Sequence, residues 1–256
     1  MTEPTEPAEA TLEGGHVTGA VRVGATVRRG TGPWTPAVHD LLGHLTAAGL
    51  DGVPRVHGFD DQGREILDFL DGTVIDVDRE ELTDGQLASF AAWLCRFHDE
   101  VGTFRPGPRR WYFAAADVPL DGIVCHNDVA PYNAAFDGDR LVGVFDWDLA
   151  GPGLPVNDLA FLAWNTVPLF REVPGWSLDR VAERLRAVAM AYGSDLGPAA
   201  LAAAALERMR TAGERIAAGQ AAGDPGMLRL AEVGEPARTL ARVEAAAARL
   251  ADLPSR

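Results

Sequence analysis

The sequence predicts an α+β chain of two unequal lobes, a small β-rich one followed by a larger, mainly helical one. Three observations carry this reading. Up to residue 70, short β-branched runs alternate with Gly- and Asp-rich turns around a single helical pattern. From residue 83 onward, apolar residues recur at spacings of three and four, and long Ala-, Leu- and Arg-rich stretches follow. A length of 256 residues suffices for one large or two modest domains with an ample core. The expected division is a tail over 1–10, a small lobe over 11–70 and a large lobe over 71–256.

Residues 1–10 hold Glu and Pro with few apolar groups, too little burial to offset the entropy of ordering, so a disordered acidic tail is expected. They contain neither a basic segment nor an apolar one of the kind that marks a secretory signal. Gly14, Gly15 and Gly19 then precede Ala20–Val23, a Gly24-Ala25 turn and Thr26–Arg29, which read as strand, turn and strand. Those glycines suit a plain turn as well as a backbone approach to phosphate. Thr35-Pro36 read as N-cap and first position of a helix, in which Val38, Leu41, Leu42 and Leu45 form one stripe that Gly49 ends. Val53–Phe59 and Glu65–Leu70 read as two more strands around an Asp60–Gly63 turn. Four strands and one helix make a small lobe, shortened because no first strand is read before Gly14.

Thr83 and Gln86 have the form of a capping box. Leu87, Phe90, Leu94, Phe97 and Val101 follow as one apolar stripe of a long helix, with His98 beside it in a structural role. Asn157–Thr166 reads as a short helix with Asp158 near its start, where the helix dipole favours a carboxylate. Ser177–Tyr192, Pro198–Ala222 and Met227–Leu253 read as three helical stretches. Glu207, Glu214, Glu232 and Glu235 on them read as solvated faces rather than a pocket for a cation.

The chemistry concentrates in residues 123–158. An apolar run, Ile123–Cys125, delivers His126-Asn127-Asp128 to a loop that closes at Asn133, and a second run, Leu141–Phe145, delivers Asp146. Ala134–Phe136 and Leu141–Phe145 around Asp137-Gly138-Asp139 read as a hairpin, which sets Asn133 and Asp146 side by side at its open end. Asp128 suits a base that orients and accepts the proton of an attacking hydroxyl. Asn133 and Asp146 offer the hard oxygen ligands that Mg²⁺ takes in small number from protein.

The spacing is similar to the H-x-D-x-x-x-x-N loop of protein kinases and, more closely, to the H-G-D-x-x-x-x-N loop of the aminoglycoside phosphotransferase family. Phe145-Asp146-Trp147-Asp148 and Asn157-Asp158-Leu159-Ala160 resemble that family's I-D-W-E and D-L-A. The resemblance implies a two-lobed, protein-kinase-like fold that moves the terminal phosphate of ATP or GTP to a hydroxyl of a small polar molecule, with Asp128 as base and Asn133 and Asp146 on Mg²⁺. The family's relatives include choline, homoserine, fructosamine and macrolide kinases. It also implies that Asp68, Phe69 and Leu70 connect the lobes and seat the nucleotide, and that Asp158 is structural.

One departure stands out: the chain contains no lysine, so the strand lysine that grips phosphates in this family is absent. Arg28 and Arg29 are the cationic substitutes on the corresponding strand, with Asp40 the carboxylate in the following helix. Alternation along the strand favours Arg28 as the inward residue, on the reasoning that Val27 turns to the core of the lobe and the cleft lies on the other face. The absent lysine also keeps an alternative open, a kinase-derived protein that binds a ligand or nucleotide without transfer. Metal-assisted hydrolysis through His126 is disfavoured, because a single His beside carboxylates lacks the ligand spacing of a zinc site.

A net charge of −14 argues against nucleic acid and against an anionic membrane as partners, and is compatible with a cationic acceptor. Cys95 and Cys125 sit among apolar residues and read as buried free thiols. No apolar run reaches membrane-spanning length, and a cytoplasmic protein is expected.

Overall fold

The computed structural model describes residues 9–12, 19–76, 79–105, 107–113 and 122–254. Residues 1–8 of the tail expected over 1–10, and Gly14 and Gly15, read as a turn or a phosphate approach, lie outside them. β1 (Ala10–Thr11), β2 (Ala20–Val23), β3 (Thr26–Arg29), β4 (Val56–Phe59) and β5 (Glu65–Asp68) form one antiparallel sheet in the order β1-β2-β3-β5-β4. Among the described residues the sheet therefore has five strands where the sequence predicts four. Ala10 pairs with Arg22, and Glu9 reaches Arg64 at 2.7 Å, so the sheet takes in residues assigned to the tail. An edge strand presents a row of unpaired backbone groups, and even a two-residue segment can satisfy some of them.

α1 (Thr35–Ala47) begins with Pro36 in its first turn and ends at Gly49, whose φ of +81° permits the Leu50 amide to return to the Leu45 carbonyl at 3.0 Å. Ala37, Val38, Leu41, Leu42 and Leu45 are all buried, as their helical spacing requires. They join a single apolar core that runs on through α2 (Asp84–Val101), whose Leu87, Phe90, Leu94, Phe97 and Val101 are at most 1% exposed. Thr83 and Gln86 close the capping box that starts α2.

β6 (Ile123–Cys125) pairs with β9 (Gly151–Gly153), and between them lie a 3₁₀ turn at Pro131–Asn133 and the hairpin of β7 (Ala134–Asp137) and β8 (Arg140–Val144). α3 (Pro155–Thr166), α4 (Leu178–Tyr192) and α5 (Pro198–Ala221) follow. The single helical stretch expected over 227–253 is instead two helices, α6 (Pro225–Glu232) and α7 (Ala237–Arg249). Gly234, at φ +84°, and Pro236 break it, the first by leaving the helical region and the second by lacking an N–H.

Hydrogen bonds from the connections after α1 and β5 fix the small lobe against the hairpin and α2. The loop after α1 gives the Gly52 carbonyl to the Val144 amide at 2.9 Å, while Trp93 of α2 donates to the Asp51 carbonyl at 2.8 Å. Further along, Thr73 and Phe136 exchange backbone hydrogen bonds of 2.8 and 2.9 Å, which ties the connection after β5 to β7. A Cβ on Gly143 would stand 2.5 Å from the Gly52 carbonyl oxygen, which neither backbone can accommodate without moving. Gly143→Ala should therefore destabilise the protein by ~1–3 kcal/mol, the usual range for overpacking. Urea denaturation reads this directly, and an unchanged midpoint would show that the contact bears no load.

Candidate active site

The strand β3 places two adjacent arginines, and their environments differ. Arg29 is 7% exposed and binds three carboxylates: Glu65 through Nε at 2.7 Å, Asp146 through Nη1 at 2.9 Å and Asp148 through Nη2 at 2.8 Å. Arg28 is paired opposite Ile66 and lies on the other face. The expectation that Arg28 points inward is overturned. It rested on core and cleft occupying opposite faces of the sheet, whereas one face serves both, apolar at Val27 and Leu67 and charged at Arg29 and Glu65.

The carboxylate partner also differs from expectation. Asp40 of α1 takes Arg109 at 2.7 Å, and Glu65 on the neighbouring strand takes Arg29. Glu65 is 1% exposed and its second oxygen meets His39 of α1 at 2.7 Å, so helix and strand share the same anion. Burial disfavours the charged form of Arg29, but Asp148, Glu65 and Asp146 outweigh it and hold its pKa above the ordinary arginine value. Burial raises the pKa of Asp148, against the pull of Arg29. The planar fork of a guanidinium spreads its donors over three carboxylates in fixed directions, whereas a lysine ammonium gathers its three donors at one point.

The loop from His126 to Asn133 is held from behind. Asp158, fully buried, accepts from the amides of His126 and Asn127 at 2.8 Å each and meets His98 Nε2 at 3.2 Å. Burial alone would raise its pKa, but the His98 contact, the nearby histidines and the His126 amide together lower it. His98 is thus structural, and its Nδ1 lies 2.6 Å from the Tyr192 hydroxyl. His126 spends both ring nitrogens on the backbone, at the Phe145 carbonyl and the Asp128 amide, each at 3.2 Å. Burial lowers its pKa, leaving an uncharged brace and no reactive imidazole.

Arg208 of α5 reaches the same loop, donating to the Asn127 carbonyl at 2.7 Å with its guanidinium 4.9 Å from the Phe161 ring. Nothing local in its Ala-rich helix marks it. Asn127 and Asp146 are the only non-glycine residues at positive φ among the described residues, at +65° and +60°. Asn and Asp tolerate this conformation best after glycine, which suits Asn127 to the position where the H-G-D pattern has Gly.

Asp128 itself accepts from the Tyr132 hydroxyl at 2.7 Å and from the Asn133 side-chain amide at 2.8 Å. Burial pushes its pKa up to about 6, helped by the Asp146 charge and opposed by those two donors. The Tyr132 hydroxyl, desolvated against the loop although its residue is 45% exposed, keeps its proton well above the ordinary range. A cavity of about 170 Å³ opens beside Tyr132, lined also by Glu80, Glu81, Trp164, Phe170 and Arg242. The glutamates Glu207, Glu214 and Glu232 are exposed, and Glu235 receives the Thr239 amide at 3.0 Å, so they line no common pocket.

Asn133 and Asp146 lie at the open end of the hairpin, where the Phe145 amide donates to the Asn133 carbonyl at 2.9 Å. The side chain of Asp146 is 44% exposed with one oxygen on Arg29, and Asn133 spends its amide nitrogen on Asp128, which leaves each an oxygen to offer. Among the described residues no three His, Cys, Asp or Glu gather as a metal cage. Two hard oxygens without a cage fit Mg²⁺, which keeps waters and shares phosphate ligands. In the connection after β5, the Asp68 amide is taken by Arg55 and the Phe69 amide by Ala25, whereas Leu70 makes no backbone bond among the described residues. Arg22 stacks on the Phe69 ring at 3.7 Å. Cys95 and Cys125 are free thiols, the first half-buried and the second buried. No described helix is long and apolar enough to cross a membrane.

Residues 108–233 match the model of the phosphotransferase enzyme family. The trifolitoxin immunity protein of Rhizobium leguminosarum bv. trifolii is 32% identical over 182 residues, 69% of this chain and 66% of the relative, so the chain spans just under two thirds of that protein. Among solved structures, the macrolide 2′-phosphotransferase of Brachybacterium faecium is similar with a TM-score of 0.56 at 18% identity, over 94% of this chain and 91% of the other. A choline/ethanolamine kinase family protein from Mesorhizobium loti gives 0.58 at 15% identity, over 93% and 92%.

Proposed function

We propose that this chain, a member of the phosphotransferase enzyme family with a protein-kinase-like fold, moves the terminal phosphate of ATP or GTP to a hydroxyl of a small polar molecule. The observation that carries the reading is the Asp128 carboxylate, held by Tyr132 and Asn133 on a loop whose neighbour Asp146 is fixed by Arg29. The acceptor hydroxyl would lie at Asp128, its remainder in the cavity beside Tyr132, where Glu80 and Glu81 suit a cationic group and Trp164 and Phe170 an apolar one. Asp128 takes the proton as the hydroxyl oxygen bonds to the terminal phosphorus. The bond from that phosphorus to the bridging oxygen breaks, releasing nucleoside diphosphate. A pKa of about 6 leaves Asp128 ionised at neutral pH yet more basic than an ordinary carboxylate.

Mg²⁺, held by Asn133 and Asp146, would neutralise charge on the phosphates. Leu70, whose amide has no backbone partner among the described residues, would meet the base of the nucleotide, and Asp68 and Phe69 shape the segment that presents it. Arg28 faces away from Asp146 and is assigned no contact with nucleotide. The name of the trifolitoxin relative supports an antibiotic-related role for the acceptor.

A second reading draws on Arg29, whose three guanidinium nitrogens are each committed to a carboxylate: a protein that holds its ligand without transfer. Incubation with ATP or GTP, Mg²⁺ and a panel of aminoglycosides, macrolides, peptide antibiotics and amino alcohols separates the two by mass spectrometry. One added phosphate on one compound supports transfer. Binding by calorimetry with no mass change on any compound that binds supports the second reading.

Asp146→Ala and Asn133→Ala should each weaken Mg²⁺-dependent nucleotide binding, Asp146 more severely because it brings a formal charge to the metal. A Mg²⁺ titration followed by calorimetry measures this. Equal metal dependence in wild type and both variants would remove these residues from the site.

A further inference from the structure

The 108–113 segment faces α5 and the start of α6 across a groove of about 760 Å³. This volume lies within the range of small-molecule sites. Its lining is unlike the rest of this acidic chain, bringing together Arg109, Arg110 and Arg215 with Trp111, Tyr112 and Phe113. Arg109 is held by Asp40. Arg215 lies 5.6 Å from the Phe113 ring, and neither it nor Arg110 has a carboxylate in ion-pair range among the described residues. The one described carboxylate in the lining, Asp224, is held at the start of α6 through its Oδ1, which accepts from the Tyr112 hydroxyl at 3.2 Å and from the Met227 amide at 2.9 Å.

The groove is built rather than incidental. Trp111 is 4% exposed and packs over Gly151, whose carbonyl receives the Asn127 side chain at 3.3 Å. Tyr112 meets Trp34 at the start of α1 with ring centroids 4.5 Å apart. Arg215 stands two turns along α5 from Arg208, about 10 Å at 1.5 Å per residue, so one helix face serves the catalytic loop at one end and the groove at the other.

We propose that this groove binds a small anionic ligand carrying a flat apolar ring, at a site separate from the cavity beside Tyr132 and independent of phosphoryl transfer. The part-exposed Tyr112 and Phe113 take the ring over the buried Trp111, and the guanidiniums of Arg110 and Arg215 take the anion, for which their planar donor forks are matched. The net charge of −14 opposes anions only at long range. Salt screens charges farther away than about 8–10 Å, so the arginines in contact dominate what the groove sees. The same net charge disfavours nucleic acid or an anionic membrane as the anion's source.

The test is calorimetry of the full chain, without nucleotide or Mg²⁺, against 1-naphthalenesulfonate and 1-naphthylmethylammonium, which share a ring and differ in charge. The sulfonate should bind and the ammonium should not. Arg110→Gln and Arg215→Gln should each weaken the sulfonate roughly tenfold, as loss of a charge-assisted hydrogen bond does, while Arg238→Gln on the exposed face of α7 leaves it unchanged. Equal affinity for the two probes, absence of sulfonate binding, or affinity that survives both groove substitutions in variants folded by circular dichroism overturns the proposal. The wild-type comparison of the two probes stands even if a variant fails to fold.

Discussion

Asp128→Asn should lower turnover by roughly 10²–10⁴-fold, the usual effect of losing a general base, while the fold and nucleotide binding persist. The amide is isosteric, and its single oxygen can still accept from either Tyr132 or Asn133, though not from both. Measurement with the identified acceptor decides it, because near-wild-type turnover would strip Asp128 of the role of base.

The same substitution should raise stability in the absence of divalent metal. Burial lifts the pKa of the folded carboxylate to about 6 from an ordinary value of 3.8. Between those values the folded state holds a proton that the unfolded state has lost, so the wild type loses stability as pH rises from 4 toward 6. Above pH 6 the full penalty applies, about 3 kcal/mol at 1.36 kcal/mol per pH unit, less what the amide forfeits in hydrogen bonding. Below pH 4 both states of the wild type are protonated, and the variant should have no advantage. Urea denaturation in EDTA across this range reads the difference, and a constant offset at every pH would contradict it.

Arg29→Ala should be the most damaging change to stability. It leaves Glu65, Asp146 and Asp148 without their shared cation, two of them buried, and breaking a buried ion pair from one side costs ~3–5 kcal/mol. Turnover should fall as well, since Asp146 loses the contact that fixes its oxygen at the cleft. Arg28→Ala, on the opposite face and outside this carboxylate network, should cost less than Arg29→Ala. Arg29→Lys restores the charge without the fork and should recover only part of the loss. Thermal and urea unfolding of the three variants make the comparison, and equal effects at positions 28 and 29 would show that the ion-pair network contributes nothing.

Much of this protein was legible in order along the chain. The stripes of α1 and α2, the capping box at Thr83 and the hairpin that joins Asn133 to Asp146 follow from spacing, because a helix or a hairpin is a local solution to local constraints. The loop that presents Asp128 could be read for the same reason, as its residues are consecutive and their chemistry is specific.

The tertiary structure decided what those residues pair with. That Arg29 and not Arg28 meets Asp146 depends on which face of the sheet turns to the cleft, and Arg29 lies 117 positions before its partner. Glu65, His39 and Arg208 carry no local mark, for each acquires its role from burial against an element distant in sequence. The strand Ala10–Thr11 was hidden for a related reason, since two residues have no periodicity and only the exposed edge of β2 makes them a strand. Periodicity reports which face of an element is buried. It does not report what lies on the other side of that face, and in this protein the other side is where the charge of the site is balanced.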